Sequence, residues 1–374
     1  MRRPRPSSVI LGIVALVLIP RALLFVAGAW SVASSADGDL LSAASGMWFH
    51  WDPGHYLRIA EVGYRSYGED ALFIVFFPLF PLLIAATGFV VRNLVVASLL
   101  VTTASSIAAG WLLFRLARLD GDEADSWGAV VCLFAFPTAY ALFAPYSEAL
   151  FLACVLGSVY AARTGRWWLA GLAGLAASAT RMVGLALVPA LLVEAFVAQR
   201  GAAAGMRATI QRKLAAVALV PLGFVAYLAV NQVVHGDAFH FLQVQETHWF
   251  QHMVAPWTPV TDALAAMRDS ELSVETFLVH PARLLAVAFA LGVLAFGWRW
   301  LRWTERTFAA ATMLMVLSAS WLISLPRYLL VVYPLFLTMG RAGRKPWVLA
   351  AVAVPCFVIQ VWLFSRFARG MWAF

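Results

Sequence analysis

Residues 1–30 read MRRPRPSSVILGIVALVLIPRALLFVAGAW, with arginines at 2, 3 and 5 followed by an apolar run over 9–30. At about 1.5 Å of rise per residue, a helix of roughly 20 such residues crosses a hydrocarbon core about 30 Å thick. The run is interrupted only at Pro20-Arg21, so it is longer than the core of a signal peptide. Ala33-Ser34-Ser35 has the small side chains of a cleavage region, but the length favours an uncleaved anchor.

The same alternation of basic cluster and apolar run continues along the 374 residues, of which 63% are hydrophobic and 12% charged. A water-soluble domain of that size needs more charge to keep its surface wet, so a bilayer must solvate most of the chain. The fold expected is an all-α integral membrane protein, a polytopic bundle of about 10–11 transmembrane helices in one domain over 1–374. Spans fall near 94–117, 127–144, 148–163, 214–234, 283–301, 307–324, 328–340 and 346–366. The pair 168–181 and 184–198 is short for two crossings.

With the N-terminus cytoplasmic, this register puts Arg115/Arg118, Arg163/Arg166, 200–213, 299–306 and 341–345 on the cytoplasmic side, as the positive-inside rule requires. The net charge of +8 is then a topological signal, and no nucleic-acid partner is implied. Residues 73–91 are apolar enough to cross, but counting them would move every later cluster outside. Pro78 and Pro81 interrupt the run, so a broken or re-entrant segment is expected. Two long polar stretches, 31–72 and 235–281, share the extracytoplasmic side. The first carries Asp37, Asp39, Asp52, Glu61, Glu69 and Asp70; the second carries Asp237, His240, Glu246, His248 and His252.

Within the first loop, residues 50–64 read HWDPGHYLRIAEVGY. Asp52 is placed to cap a helix, Pro53 suits its first position and Gly63 can close it in a left-handed turn, which predicts a short interfacial helix. Asp52 can be only that cap. A carboxylate at the mouth of a membrane bundle, beside His55 and aromatic rings, can also accept a proton from a sugar hydroxyl.

The stretch resembles the PIG-V-type mannosyltransferases (GPI mannosyltransferase II-like), in a bacterial form, within the GT-C class of polytopic glycosyltransferases. The residues that carry the resemblance are Trp51-Asp52, His55-Tyr56-Leu57, Ile59-Ala60-Glu61, Gly63-Tyr64 and 76–82 (FFPLFPL). Tyr146-Ser147-Glu148-Ala149-Leu150-Phe151 and Ala179-Thr180-Arg181 with Gly184 extend it. His50 stands where an Arg commonly precedes Trp-Asp, and Met182-Val183 replace a polar pair. The resemblance implies a GT-C-like first extracytoplasmic loop and Asp52 as general base in a single inverting displacement. The co-substrate it implies is a polyprenyl-phosphate mannose, with an extracytoplasmic glycolipid or glycan as acceptor. His55, Glu61 and Glu148 are expected to support Asp52, and Trp51, Tyr56, Tyr146 and His248 to contact substrate.

Glu148 opens an apolar helix, where a carboxylate either favours the positive helix end or has a chemical role. Arg181 and Arg327 stand in apolar surroundings near the outer side. Each is either half of an ion pair, with Glu148 as one partner, or a two-pronged clamp on the donor phosphate. Asp120-Gly121-Asp122-Glu123 has the look of a metal-binding acidic motif, but the register makes it a cytoplasmic helix-opening turn. The histidines at 235, 240, 248 and 252 lack a carboxylate pattern, and the three cysteines lack ligand spacing, so no metal site is predicted. Trp167, Trp168, Trp298, Trp300, Trp303 and Trp347 flank basic clusters as membrane-interface anchors. Trp48, Trp51, Trp249 and Trp257 lie in the outer loops, where anchoring and sugar stacking are alternatives. A secondary transporter would show paired halves and midplane charges, and neither is apparent; a non-catalytic membrane subunit is the other alternative.

Overall fold

In lipid each backbone N–H and C=O must be satisfied within the protein, and a helix does this segment by segment. The computed structural model describes residues 6–36, 44–197, 206–269, 273–320 and 322–374. Among these the chain is helical, with a single isolated β-bridge between Met253 and Ala319. In order, the helices are α1 (Pro6–Ala36), α2 (Trp51–Val62), α3 (Leu79–Val91), α4 (Leu94–Ala117), α5 (Glu123–Ala135) and α6 (Glu148–Arg163). Then follow α7 (Trp167–Thr180), α8 (Leu187–Val197), α9 (Met206–Val217), α10 (Val220–His235), α11 (His240–Thr247) and α12 (Thr258–Asp269). The last are α13 (Val274–Val279), α14 (Pro281–Gly297), α15 (Trp303–Leu317), α16 (Leu325–Tyr328), α17 (Tyr333–Ala342) and α18 (Pro346–Ala368). Arg2, Arg3, Arg5, Asp37, Asp39 and Arg200 lie outside the described residues.

Among the described residues, five stretches are long and apolar enough to span by themselves: Ser7–Ser34, Leu94–Ala117, Ile210–His235, Val274–Gly297 and Pro346–Ala368. The remaining apolar helices are shorter, from 10 residues in α17 to 16 in α6. At 1.5 Å per residue these reach only about 15–24 Å, less than the hydrocarbon core. Irregular backbone completes their paths and is shielded by protein. After α5 the chain runs as a bend and a 3₁₀ turn through Tyr140 and Tyr146, both buried, before α6 begins. Thr138 donates to the Pro326 carbonyl at 2.9 Å and Ser106 to the Leu142 carbonyl at 2.5 Å, so carbonyls of the short helical turns are met by side chains.

The segment with the two prolines is a break, as its sequence predicts. Glu69–Val75 and α3 meet at an angle of 117°. α4 has 24 residues, about 36 Å of helix, and ends beside Arg115, which donates to Tyr160 near the Arg163 end of α6. A helix that long starts on the opposite face, where Asp52 and Glu148 lie, so α3 ends on that face.

The basic clusters grouped by the charge rule do gather at one end. Arg163 reaches Asp120 at 2.6 Å and Glu305 at 3.3 Å, Arg341 donates to the Asp120 carbonyl at 3.0 Å, and Arg344 reaches Asp125 at 2.7 Å. The 120–123 acidic turn is the helix opening expected of it: the Asp122 carboxylate accepts from the Asp125 N–H at 2.9 Å, and Asp125 returns a bond at 3.3 Å. The arginines neutralise this turn and tie together α5, α6, α15 and α17.

α1 packs on α18 and α4, α6 lies between α4 and α7, α7 meets α10, and α8 meets α15. α5 crosses α17 at backbone contact. A Cβ on Gly340 would lie 2.4 Å from the Asp125 carbonyl oxygen and 2.5 Å from the Ala129 nitrogen, both backbone atoms that cannot rotate away. Gly340→Ala should therefore cost about 2 kcal/mol, within the range of core overpacking. A lowered unfolding midpoint in detergent with unchanged helix content checks this; an unchanged midpoint would contradict the close crossing.

Candidate active site

Four ionisable side chains meet where helices end. Asp52 is in the first turn of α2, Glu148 is the first residue of α6, Arg181 follows the last residue of α7, and Arg327 is on the four-residue α16. They form an alternating chain. Arg327 Nη2 lies 2.8 Å from Asp52 Oδ2, Arg327 Nε lies 3.2 Å from Glu148 Oε1, and Arg181 Nη1 lies 2.9 Å from that same Glu148 oxygen. The Arg327 Nε contact is an ion pair without hydrogen-bond alignment. Glu148 has no exposed side-chain surface, and the Arg327 side chain is 6% exposed. The helix dipole adds partial positive charge at the first turn of α6, which favours Glu148 there.

Hydroxyls and rings hold this chain in place. Ser147 Oγ accepts from Arg181 at 3.1 Å and from the Tyr56 hydroxyl at 3.0 Å. The Arg327 guanidinium lies 4.6 Å from the Tyr146 ring centre, and the Tyr328 ring lies 5.1 Å from Arg181 and 5.6 Å from Arg327. A guanidinium over an aromatic face keeps its charge at less desolvation cost than one in aliphatic surroundings.

Asp52 departs from the expected helix cap. The residue flanking α2 is His50, in extended conformation, and no side chain caps the helix. The physical reason is that a carboxylate within reach of a buried guanidinium gains more from the ion pair than from one exposed N–H. Pro53 falls third in the helix, and Trp51 takes a left-handed φ of 57°. That conformation costs a non-glycine residue on the order of 1 kcal/mol. Gly63 closes the helix, its N–H donating to Ile59 at 2.8 Å, at a positive φ of 73° but with ψ −172° in place of the left-handed turn expected.

A cavity of about 580 Å³ opens onto this chain. Trp51, Asp52, His55, Tyr56, Tyr146, Arg181 and Arg327 all line it, while Glu148 sits behind the two arginines. The second loop contributes Gln245, Trp249 and Gln251, and the C-terminal residues Trp372 and Phe374 complete the wall. Trp51 and Trp372 meet edge to face at 5.2 Å. The 372–374 wall is held by Arg366, which donates to the Trp372 carbonyl at 3.0 Å and pairs with Glu275 at 3.1 Å. Tyr140 supports it by donating to the Ala373 carbonyl at 2.5 Å. Of these, the glutamines, Tyr328 and the C-terminal residues carry no sequence signal, because their neighbours are an ordinary amphipathic helix and an apolar tail.

Besides Glu148, two expected residues do not line the cavity and lie apart from the ion-pair chain as well. Glu61 lies on the exposed face of α2, 3.1 Å from Arg58, which also holds Asp70 at 3.0 Å; this triad is a solvated surface cluster. His248 is exposed, its ring 5.3 Å from Trp249, because the turn after α11 points Trp249 inward and His248 out. The four loop histidines do not converge: His235 stacks on His240 at 4.1 Å, apart from His248 and His252. Among the described residues no three His, Cys, Asp or Glu side chains are arranged to hold a metal ion.

A family model described as mannosyltransferase (PIG-V) matches residues 26–230, more than half the chain. The chain belongs to the PIG-V mannosyltransferase family. Asp52, Glu148 and Arg181 fall inside the matched region and Arg327 outside it. No curated protein matches the sequence. Among solved structures it is similar to ArnT from Cupriavidus metallidurans bound to undecaprenyl phosphate, at 16% identity and a TM-score of 0.51. That match covers 91% of this chain and 61% of that one. It is also similar to the Archaeoglobus fulgidus oligosaccharyltransferase in the apo form, at 12% identity and a TM-score of 0.54, covering 98% and 57%. The same archaeal enzyme, AglB, in complex with an inhibitory peptide and a dolichol-phosphate, matches at 12% identity and a TM-score of 0.52, covering 97% and 56%. The chain thus spans about three fifths of the length of the structures it matches. At these identities the likeness is one of fold, and the chain is a multi-pass membrane protein of the PIG-V mannosyltransferase family.

His55 lies outside the spanning segments, with its ring 4.5 Å from Phe73, 5.2 Å from Phe76 and 5.8 Å from Trp249. Burial there holds its pKa below 6.5, Asp52 partly opposes this, and His248 adds to it. A depressed pKa means the unfolded chain takes the proton first, so His55 stabilises the fold above about pH 6.5 and this contribution is lost as pH falls below it. Between pH 7.5 and 5.5 the wild-type unfolding temperature should fall more steeply than that of His55→Phe, which keeps the ring and cannot titrate. Parallel slopes would place the histidine in a wetter environment.

Proposed function

We propose that this protein transfers mannose from a polyprenyl-phosphate donor to a hydroxyl of an extracytoplasmic glycolipid or glycan, with inversion and with Asp52 as the general base. The observation that carries this reading is the Asp52 carboxylate at the cavity wall, 27% exposed, with one oxygen on Arg327 and two guanidiniums within one ion-pair chain of it. The acceptor oxygen attacks the anomeric carbon from the face opposite the phosphate. The bond from that carbon to the phosphate oxygen breaks, its electron pair stays on phosphate, and the hydroxyl proton passes to Asp52. The donor is a singly charged diester and the released lipid phosphate a doubly charged monoester. Negative charge therefore grows on phosphate in the transition state, where Arg181 and Arg327 oppose it more strongly than in the ground state.

Support for the donor class comes from the family and from the lipid phosphates named with the ArnT and AglB structures. Support for the substrate wall comes from Trp51, Trp249 and Gln245, which offer a ring face and amide groups of the kind that engage sugars. The positive-inside rule places the arginine-rich end in the cytoplasm and the cavity outside. The Cys132, Cys154 and Cys356 triple alanine variant serves as the background for a topology test. Phe250→Cys, at an exposed position on the cavity side, should react with an impermeant thiol reagent on intact cells, and Arg166→Cys only after permeabilisation. The reverse pattern would put the cavity in the cytoplasm.

The chemical test uses purified protein, a synthetic polyprenyl-phosphate mannose and a membrane lipid extract as acceptor. Asp52→Asn keeps the shape and a hydrogen-bonding oxygen for Arg327 but cannot take a proton at neutral pH, so transfer should fall by about 100-fold or more. An Asp52→Asn protein that melts near wild type and transfers at near the wild-type rate would remove Asp52 as the base. Preference for a glucose-linked over a mannose-linked donor would overturn the sugar assignment.

A further inference from the structure

Glu148 cannot touch a substrate in the cavity, because the Arg181 and Arg327 side chains stand between. Among the described residues it is nonetheless the only carboxylate shared by both arginines: its Oε1 lies 2.9 Å from one and 3.2 Å from the other, and its Oε2 is fully buried without a hydrogen-bond partner. Counting formal charges, Asp52 and Glu148 offset Arg181 and Arg327, so the cluster facing the cavity is neutral overall.

We propose that Glu148 is a positioning residue that tempers the phosphate affinity of Arg181 and Arg327, holding both guanidiniums toward the cavity while keeping the product lipid phosphate releasable. This deepens the donor assignment above and rests on it. Without Glu148, Asp52 alone would oppose the two guanidiniums, and the net positive wall would hold a dianionic product far more firmly than a monoanionic donor, because the attraction scales with ligand charge. Turnover would then stall at product release. A buried counter-charge behind the arginines lowers both affinities and lowers that of the dianion more.

The proposal predicts a change opposite in sign to simple damage. In one detergent, Glu148→Gln should bind farnesyl phosphate, a short lipid monophosphate, roughly tenfold or more tightly than wild type, and bind farnesol unchanged. With the mannosyl donor, KM should fall about threefold, while kcat falls further as release becomes limiting. Glu148→Asp keeps the charge and the fold but withdraws the carboxylate by one carbon from both guanidiniums, and should tighten farnesyl phosphate a few-fold. It carries the test if Glu148→Gln fails to fold. Phosphate affinity equal to or weaker than wild type in the folded variants would overturn the proposal, since loss of structural support loosens the arginines. Wild-type protein that binds farnesyl phosphate no better than farnesol would instead overturn the donor reading, and this inference with it.

Discussion

The site depends on one ion-pair chain, Asp52–Arg327–Glu148–Arg181, assembled where four helix ends meet. Each charge is supplied by a different element, and none is tolerable in such poorly solvated surroundings without the others. Removing one member of a buried pair leaves an uncompensated charge, which typically costs about 3–5 kcal/mol. The chain therefore couples the interfacial helix of the first loop to the short helix α16 that carries Arg327, about three quarters of the sequence apart. That coupling places a carboxylate and two guanidiniums around one cavity.

The shortness of the helices serves the same end. A bundle built only from full-length spans would bury no helix termini at the level of the site. Here α6 begins at Glu148 and α7 ends at Thr180, so the first-turn dipole of one and the chain reversal after the other both point into the polar cluster. The irregular backbone this requires is paired with side chains, as with Thr138 and Ser106, and enclosed by buried Tyr140 and Tyr146. At the far end, Arg163, Arg341 and Arg344 close on Asp120 and Asp125, which fixes the other termini of the same helices. One polar network is thus saturated and the other opens on a cavity.

Much of this was legible residue by residue. The limits of α4 and α6 follow from where charge interrupts the apolar runs, and the break before α3 follows from Pro78 and Pro81. Arg181 and Arg327 stood out because an arginine in an apolar stretch needs a partner, and Glu148 was the nearest plausible one; the structure makes it the partner of both. Asp52 was read as a helix cap from local spacing, whereas its partner is Arg327, an interaction no local pattern contains. Glu61 belongs to the motif that carries the resemblance and His248 to the second outer loop, but helix phase turns Glu61 to solvent and the turn after α11 turns His248 away.

Composition and charge spacing alone determined that the chain is a helical membrane protein, that its basic clusters share one face, and that Asp52, Glu148, Arg181 and Arg327 face the other. These follow from solvation, which acts on each segment separately: a long apolar run prefers lipid, and an arginine cluster does not cross. Only the tertiary structure decided that the four charges form one alternating chain, that Gln245, Trp249 and the 372–374 segment wall the cavity, and that Glu148 stands behind the arginines. Such facts depend on which helix ends come within about 4 Å of each other. That distance is set by close packing, as at Gly128 and Gly340, where the absence of a side chain lets two backbones meet. Packing is a property of pairs of segments, so it leaves no mark on either segment read alone.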